Sequence, residues 1–269
     1  MLPSDIKYVE STLIAPNSTT SNPGGAITTT VVNTAAPNAV FYQLVANPFG
    51  GADVVQYQKV GLYNSHATDS ASSVRIYIAN GIDTLSGSAT LSFASTSSSD
   101  NSTKKVRIIG LDASSNPQTH EINLNGTSTV TTTGITWTRV YRVELRNVTS
   151  PYAFTTSVGS ISMSHGVTVV GTILPGNSCL QDEFELGMEG TINGSQTMTN
   201  AATAPSSVSF FKARGLANAL TIQNGGVLGP SGGGSDKQGF YWKWTVEDGT
   251  AGTPDTTGYY PLLAVDCVV

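Results

Sequence analysis

The chain has 269 residues, of which 39% are hydrophobic and only 12% charged, with a net charge of −5 and a pI near 5.1. An ordinary globular domain carries about 25% charged residues, so this chain draws its polarity from Ser, Thr, Asn and Gly, the residues of strands and turns rather than of helices. An acidic chain offers no broad basic field to a phosphate backbone, and no stretch approaches the roughly 20 apolar residues of a membrane span, so neither nucleic acid nor membrane is an expected partner.

The start does not read as a secretory leader, because Asp5, Lys7 and Glu10 interrupt any apolar run. A chain made in a cytoplasm is the expectation, and five Asn-x-Ser/Thr sequons, at Asn17, Asn101, Asn125, Asn147 and Asn193, are read as chance in so Ser/Thr-rich a sequence. Residues 11–38 hold three prolines, a Gly-Gly pair and few large apolar groups. Residues 1–39 are therefore expected to form an extended N-terminal arm that contacts another subunit instead of its own core, with 26–32 and 39–45 as β-capable pieces.

From about Val54 the pattern has period 2. Val74, Ile76 and Ile78 share one face while Arg75 and Tyr77 take the other, and similar strands are predicted over 91–93, 106–109, 121–124, 137–145 and 160–170. Turn signals separate them at Asn80-Gly81, Ser86-Gly87, 112–117, Asn125-Gly126, Gly134 and Ser150-Pro151. Beyond Pro175 the pattern predicts a strand over 180–186 with a solvated acidic face (Gln181, Glu183, Glu185), then shorter ones over 208–212 and 219–223. A glycine-rich mobile loop is expected over 229–239 and a final strand over 259–269. In 240–246, Phe240, Trp242, Trp244 and Val246 point one way and Tyr241, Lys243 and Thr245 the other. The predicted fold is all-β: antiparallel sandwich or jelly-roll-like lobes over 40–175 and 176–269, following the arm.

Chemistry-bearing residues are few. His66, His120 and His165 fall in no metal-ligand spacing, and the two cysteines, Cys179 and Cys267, lack a neighbouring His; they read as buried reduced thiols, with a disulfide as the alternative. Asp182, Glu183, Glu185, Glu189, Glu247 and Asp248 could supply a glycosidase-type carboxylate pair, but their local pattern reads as solvated strand faces; the acidic loops near Asp182 and Asp248 could hold calcium, but lack the D-x-D-x-D-G spacing. Trp242 and Trp244 could form a sugar-stacking platform, although their shared face places them in a core. The expectation is no catalytic residue, no metal and no cofactor.

Several runs look familiar. Ser4-Asp5-Ile6-Lys7-Tyr8, Pro23-Gly24-Gly25-Ala26-Ile27, and Leu62-Tyr63-Asn64-Ser65-His66-Ala67-Thr68 leading into Val74-Arg75-Ile76-Tyr77-Ile78 resemble a family of structural virion proteins of tailed bacteriophages. The run from Gly110 to Thr127, GLDASSNPQTHEINLNGT, resembles a β-hairpin module of phage particle proteins, followed as in the module by a Thr-rich stretch (129–133) and a strand (137–143); Ser115 stands where the module has Gly. The resemblance covers about 60% of the chain. It implies a non-enzymatic virion component made in the host bacterial cytoplasm. A capsid-decorating or cement protein is the first expectation, a neck, collar or tail-associated part the second, and a carbohydrate-reading fibre the third. The implied partners are the major capsid protein or neck and tail proteins, and the chain itself as a trimer or ring.

Overall fold

The computed structural model describes residues 3–13, 24–32, 53–150, 153–246 and 262–268. Among them seventeen strands follow in chain order: β1 (Ile6–Leu13), β2 (Gly24–Val31), β3 (Val54–Asn64), β4 (Ser72–Ile78), β5 (Leu91–Ser95), β6 (Lys104–Asp112), β7 (Pro117–Asn123), β8 (Val130–Thr131), β9 (Trp137–Asn147), β10 (Ile161–His165), β11 (Thr168–Ile173), β12 (Cys179–Gln181), β13 (Phe184–Ile192), β14 (Phe210–Phe211), β15 (Leu220–Thr221), β16 (Lys237–Val246) and β17 (Leu263–Val268). Described helical structure is limited to single turns such as Leu216–Asn218 and the four-residue α1 (Gln223–Gly226). The all-β, antiparallel expectation holds.

Four sheets form, ordered β14-β13-β16-β3-β1-β2, β11-β10-β5-β8, β12-β9-β6-β7 and β15-β4-β17. They face each other in pairs. The six-stranded and three-stranded sheets enclose one core, in which Val74, Ile76 and Ile78 of β4 meet Leu62, Leu186, Phe240, Trp242 and Trp244. The two four-stranded sheets enclose the other, in which Leu91, Phe93, Ile161 and Met163 meet Val106, Ile108, Val143 and Leu145.

The division of the chain differs from the expected 40–175 and 176–269. The second core draws only on residues from Ile82 to Leu180, whereas the first combines buried residues up to Ile78 with buried residues from Cys179 onward. One sandwich is thus inserted into the other. The reason lies in pairing: β16 runs its whole length against β3, from Lys237↔Tyr63 to Val246↔Val54, so the C-terminal third cannot form its own lobe.

The arm is also corrected, as far as it is described. β1 pairs with β3 over Ile6–Glu10, and β2 pairs with β1, so both belong to the chain's own sheet. Val9 is fully buried, and Ile27 lies over Gly61, where a Cβ would come within 2.4 Å of Ile27 Cγ2. Alternate apolar residues in a Thr-rich stretch suffice to make an edge strand once a partner edge is offered. The β-capable piece 39–45 lies outside the described residues.

Smaller differences have local causes. The strand predicted over 160–170 is a hairpin, because Gly166 takes φ +60° and turns the chain between His165 and Thr168. The strand predicted over 180–186 breaks at 182–183, where Asp182 and Glu183 turn to the buried cations Arg214 and Arg142. The glycine-rich stretch before β16 is pinned rather than mobile: Gly229 N–H donates to Ser235 O, Ser231 N–H to His66 O, and Gly232 N–H to Asp236 Oδ2 at 2.8 Å.

Candidate functional site

The histidines and cysteines singled out from the sequence do not converge. His66 Nδ1 accepts the N–H groups of Thr68 and Asp69 in a local turn. His120 stands on β7, and His165 is buried with Nε2 at 2.9 Å from Trp137 O. Cys179 is buried, its Sγ accepting from Asn80 Nδ2 at 3.4 Å, Cys267 is half-buried, and the two are not joined in a disulfide. Burial pushes the Cys267 thiol pKa up, with Asp266 adding to the effect. Glu247 and Asp248 lie outside the described residues. Among the described residues, no group of three or more His, Cys, Asp or Glu is placed to hold a metal ion.

The aromatic stretch is core on both faces. Trp244 stacks on Phe184 with centroids 5.2 Å apart, and Trp242 meets the same ring edge-on at 5.9 Å. Neither indole is free to stack on a sugar. Tyr241, expected outside, is fully buried on the opposite face with Tyr57 and Met198. A central strand covered on both sides forces this, and the alternation alone did not show it.

The acidic residues are the larger correction. Gln181, Asp182, Glu183 and Glu189 are buried rather than solvated, and only Glu185 is half-exposed, paired to Lys243 at 2.8 Å. Glu183 Oε1 accepts from Arg142 Nη2 at 2.9 Å, and its Oε2 accepts from Trp244 Nε1 at 3.3 Å. Asp182 pairs with Lys212 at 2.6 Å and with Arg214. Burial lowers the Arg214 pKa to about 10, against the pull of Asp83.

These pairs belong to a polar seam between the two cores. In β9, Val143 and Leu145 face the inserted sandwich, so Arg142, Glu144 and Arg146 line the opposite face. Arg146 clasps Glu144 at 2.8 Å and lies over the Phe154 ring at 3.7 Å, while Arg107 approaches Glu144 at 3.7 Å. Cations and carboxylates alternate, so the buried charges nearly cancel, as burial requires.

Two further clusters were not read from the sequence. Lys59, with its side chain fully buried, donates to Glu189 Oε1 at 2.7 Å, Gly25 O at 2.6 Å and Gln196 O at 3.1 Å. One ammonium thereby ties β2, β3, β13 and the loop after β13. Gly239 makes room for it, since a Cβ there would strike Glu189 Oε2 at 2.1 Å. Burial lowers the Lys59 pKa, and Glu189 partly restores it.

In the inserted sandwich, Asp100 Oδ2 accepts from Ser95 Oγ (2.6 Å) and Gly159 N–H (2.9 Å). Its Oδ1 accepts from Lys104 Nζ (2.8 Å) and Val158 N–H (2.9 Å). Burial alone would raise this carboxyl, but the four donors outweigh it and hold the pKa at about 2. Such arrangements clamp strands; a carboxylate so saturated with donors is a poor general base. The S-x4-D-x3-K spacing of Ser95, Asp100 and Lys104 was the available signal for this cluster, while nothing local marks Lys59 for Glu189, 130 positions away. No family model, no curated protein and no solved structure matches this chain.

Proposed function

We propose that this chain is a non-enzymatic structural protein of a tailed-bacteriophage particle, a capsid-decorating or cement subunit that binds the major capsid protein and further copies of itself. The observation that carries the reading is where the charged side chains go. Lys59 with Glu189, Arg142 with Glu183, and Lys104 with Asp100 each fasten separate strands or loops, so the polar chemistry serves cohesion. Beside it stands the resemblance of the 110–127 hairpin run and the N-terminal runs to phage particle proteins, and the burial of Trp242 and Trp244, which weighs against the fibre alternative.

Quantifying the protein in purified particles against the major capsid protein tests the reading. A decorating subunit is present in a fixed, high ratio to the capsid protein, and particles lacking it lose heat resistance. Absence from particles would refute the virion assignment. A few copies per particle would move the protein to the neck or tail. A Glu183→Gln variant that is incorporated normally but loses a polysaccharide-cleaving activity would refute the non-enzymatic part.

A further inference from the structure

Unpaired sheet edges invite strand addition, and proteins guard them with bulges, short strands, charges or covering loops. Nearly every edge among the described strands here is guarded. β8, β14 and β15 are two residues long. β2 has register shifts against β1, and its start is capped where Gly25 N–H meets Gln196 O. β11 faces a bulge in its pairing with β10, and Asp83 N–H covers Val170 O. β12 is flanked by residues 80–82 through Gln181 N–H to Asn80 O and Ile82 N–H to Gln181 O, and β17 shifts register after Asp266.

β7 is different. Its seven residues pair with β6 without a shift, from Lys105↔Asn123 to Leu111↔Pro117. The pairs that exchange bonds are fixed at both ends of the hairpin: Asp112 N–H donates to Asn116 O, and Leu124 N–H donates to Lys104 O. Alternation then turns Gln118, His120 and Ile122 toward β6, and directs the N–H and C=O groups of Thr119, Glu121 and Asn123 outward. These three residues are exposed, and no bond to their backbone groups exists among the described residues. The edge carries no lysine, and its one charge, Glu121, is neutralised by Lys105 at 2.5 Å. Pro117 sits at the end of the strand, where a missing N–H interrupts nothing.

We propose that this edge joins two copies of the chain, β7 against β7 antiparallel about a two-fold axis beside His120. A second copy is the occupant that fits best, because it brings a strand of the same length, equally free of register shifts and with the same exposed outward residues. In that register Thr119 of each copy faces Glu121 of the other, Asn123 faces Pro117 and His120 faces its own counterpart, so about six backbone bonds form, three donated by each copy, and no carboxylate stands directly opposite another. The alternative register, centred on Glu121, would set the two glutamates against each other. The β12-β9-β6-β7 sheets of the two copies become one continuous sheet across the axis. The contact can be examined in solution and stands or falls independently of the virion assignment.

The test needs no particle: light scattering of the purified full chain over a range of concentrations, with three substitutions at Thr119. Wild type should show a monomer–dimer equilibrium. Thr119→Pro removes only an outward N–H and should weaken the dimer about tenfold or more by deleting two of the shared bonds. Thr119→Glu should weaken it by placing a second carboxylate opposite Glu121, and Thr119→Lys should tighten it several-fold by placing a cation there. Hydrogen exchange at Thr119, Glu121 and Asn123 should slow as concentration rises, which reads the contact even if the proline variant misfolds. A chain that stays monomeric at high concentration, or a dimer indifferent to both Thr119→Pro and Thr119→Glu, would overturn the proposal.

Discussion

Asp100 offers the sharpest test of how the inserted sandwich is held. Its side chain is fully buried, and its four donors come from the end of β5, the start of β6 and the turn before β10, so it links both sheets. The gap between the ordinary value of 3.8 and about 2 corresponds to about 2 kcal/mol of stability at neutral pH. The sign follows from the direction: the folded pKa is depressed, so the stabilisation is fully present above pH 4 and is lost as the pH falls through 2. Asp100→Asn keeps the shape but turns an amide NH2 toward donors, leaving at least one of them, such as the Gly159 N–H, without an acceptor and Lys104 without its counter-charge, which should cost about 3 kcal/mol at pH 7. Urea titrations followed by circular dichroism at pH 7, 5 and 2, with native-state hydrogen exchange on peptides from 91–173, measure both effects. The difference between wild type and variant should shrink by about 2 kcal/mol between pH 5 and pH 2. A difference that stays constant across that range would refute the account of Asp100.

Two other perturbations follow from geometry. Ser115 adopts φ +62° in the β6–β7 turn, a conformation that L-residues adopt at a cost of roughly 1–2 kcal/mol, so Ser115→Gly should stabilise the hairpin by about 0.5–1 kcal/mol, read as a rise in the urea midpoint. Lys59→Met leaves the Glu189 carboxylate buried without its cation and should destabilise by about 3–5 kcal/mol; adding Glu189→Gln should recover part of that loss, so the double variant is more stable than the sum of the singles in a denaturant-based cycle.

The strands were legible wherever one face is buried and the other wet. Val74–Ile78 and the hairpin around 112–117 show this, since period 2 and the Asp/Asn/Pro turn residues are local signals. What the sequence hid was burial on both faces. Glu183 and Arg142 alternate with apolar neighbours just as solvent-facing residues would, and only the packing of one sandwich against the other turns their face into a seam. Tyr241 was misplaced for the same reason. The Lys59–Glu189 clamp was hidden by distance along the chain, and the intramolecular role of β1 and β2 by their composition, which suits an edge strand and a loose arm equally well.

The insertion of one sandwich within the other has a consequence for the order of folding during synthesis. The residues of the inserted core run without interruption from Ile82 to Leu180, so its contacts can close as soon as that stretch has left the ribosome. The host sandwich cannot do the same, because β3 waits for β16, more than 170 positions later, and such long-range pairing closes slowly. Until then the nascent chain carries an open β3 and the apolar face of β4. The interval between those two closures, more than the stability of the finished molecule, is where misfolding and aggregation should concentrate.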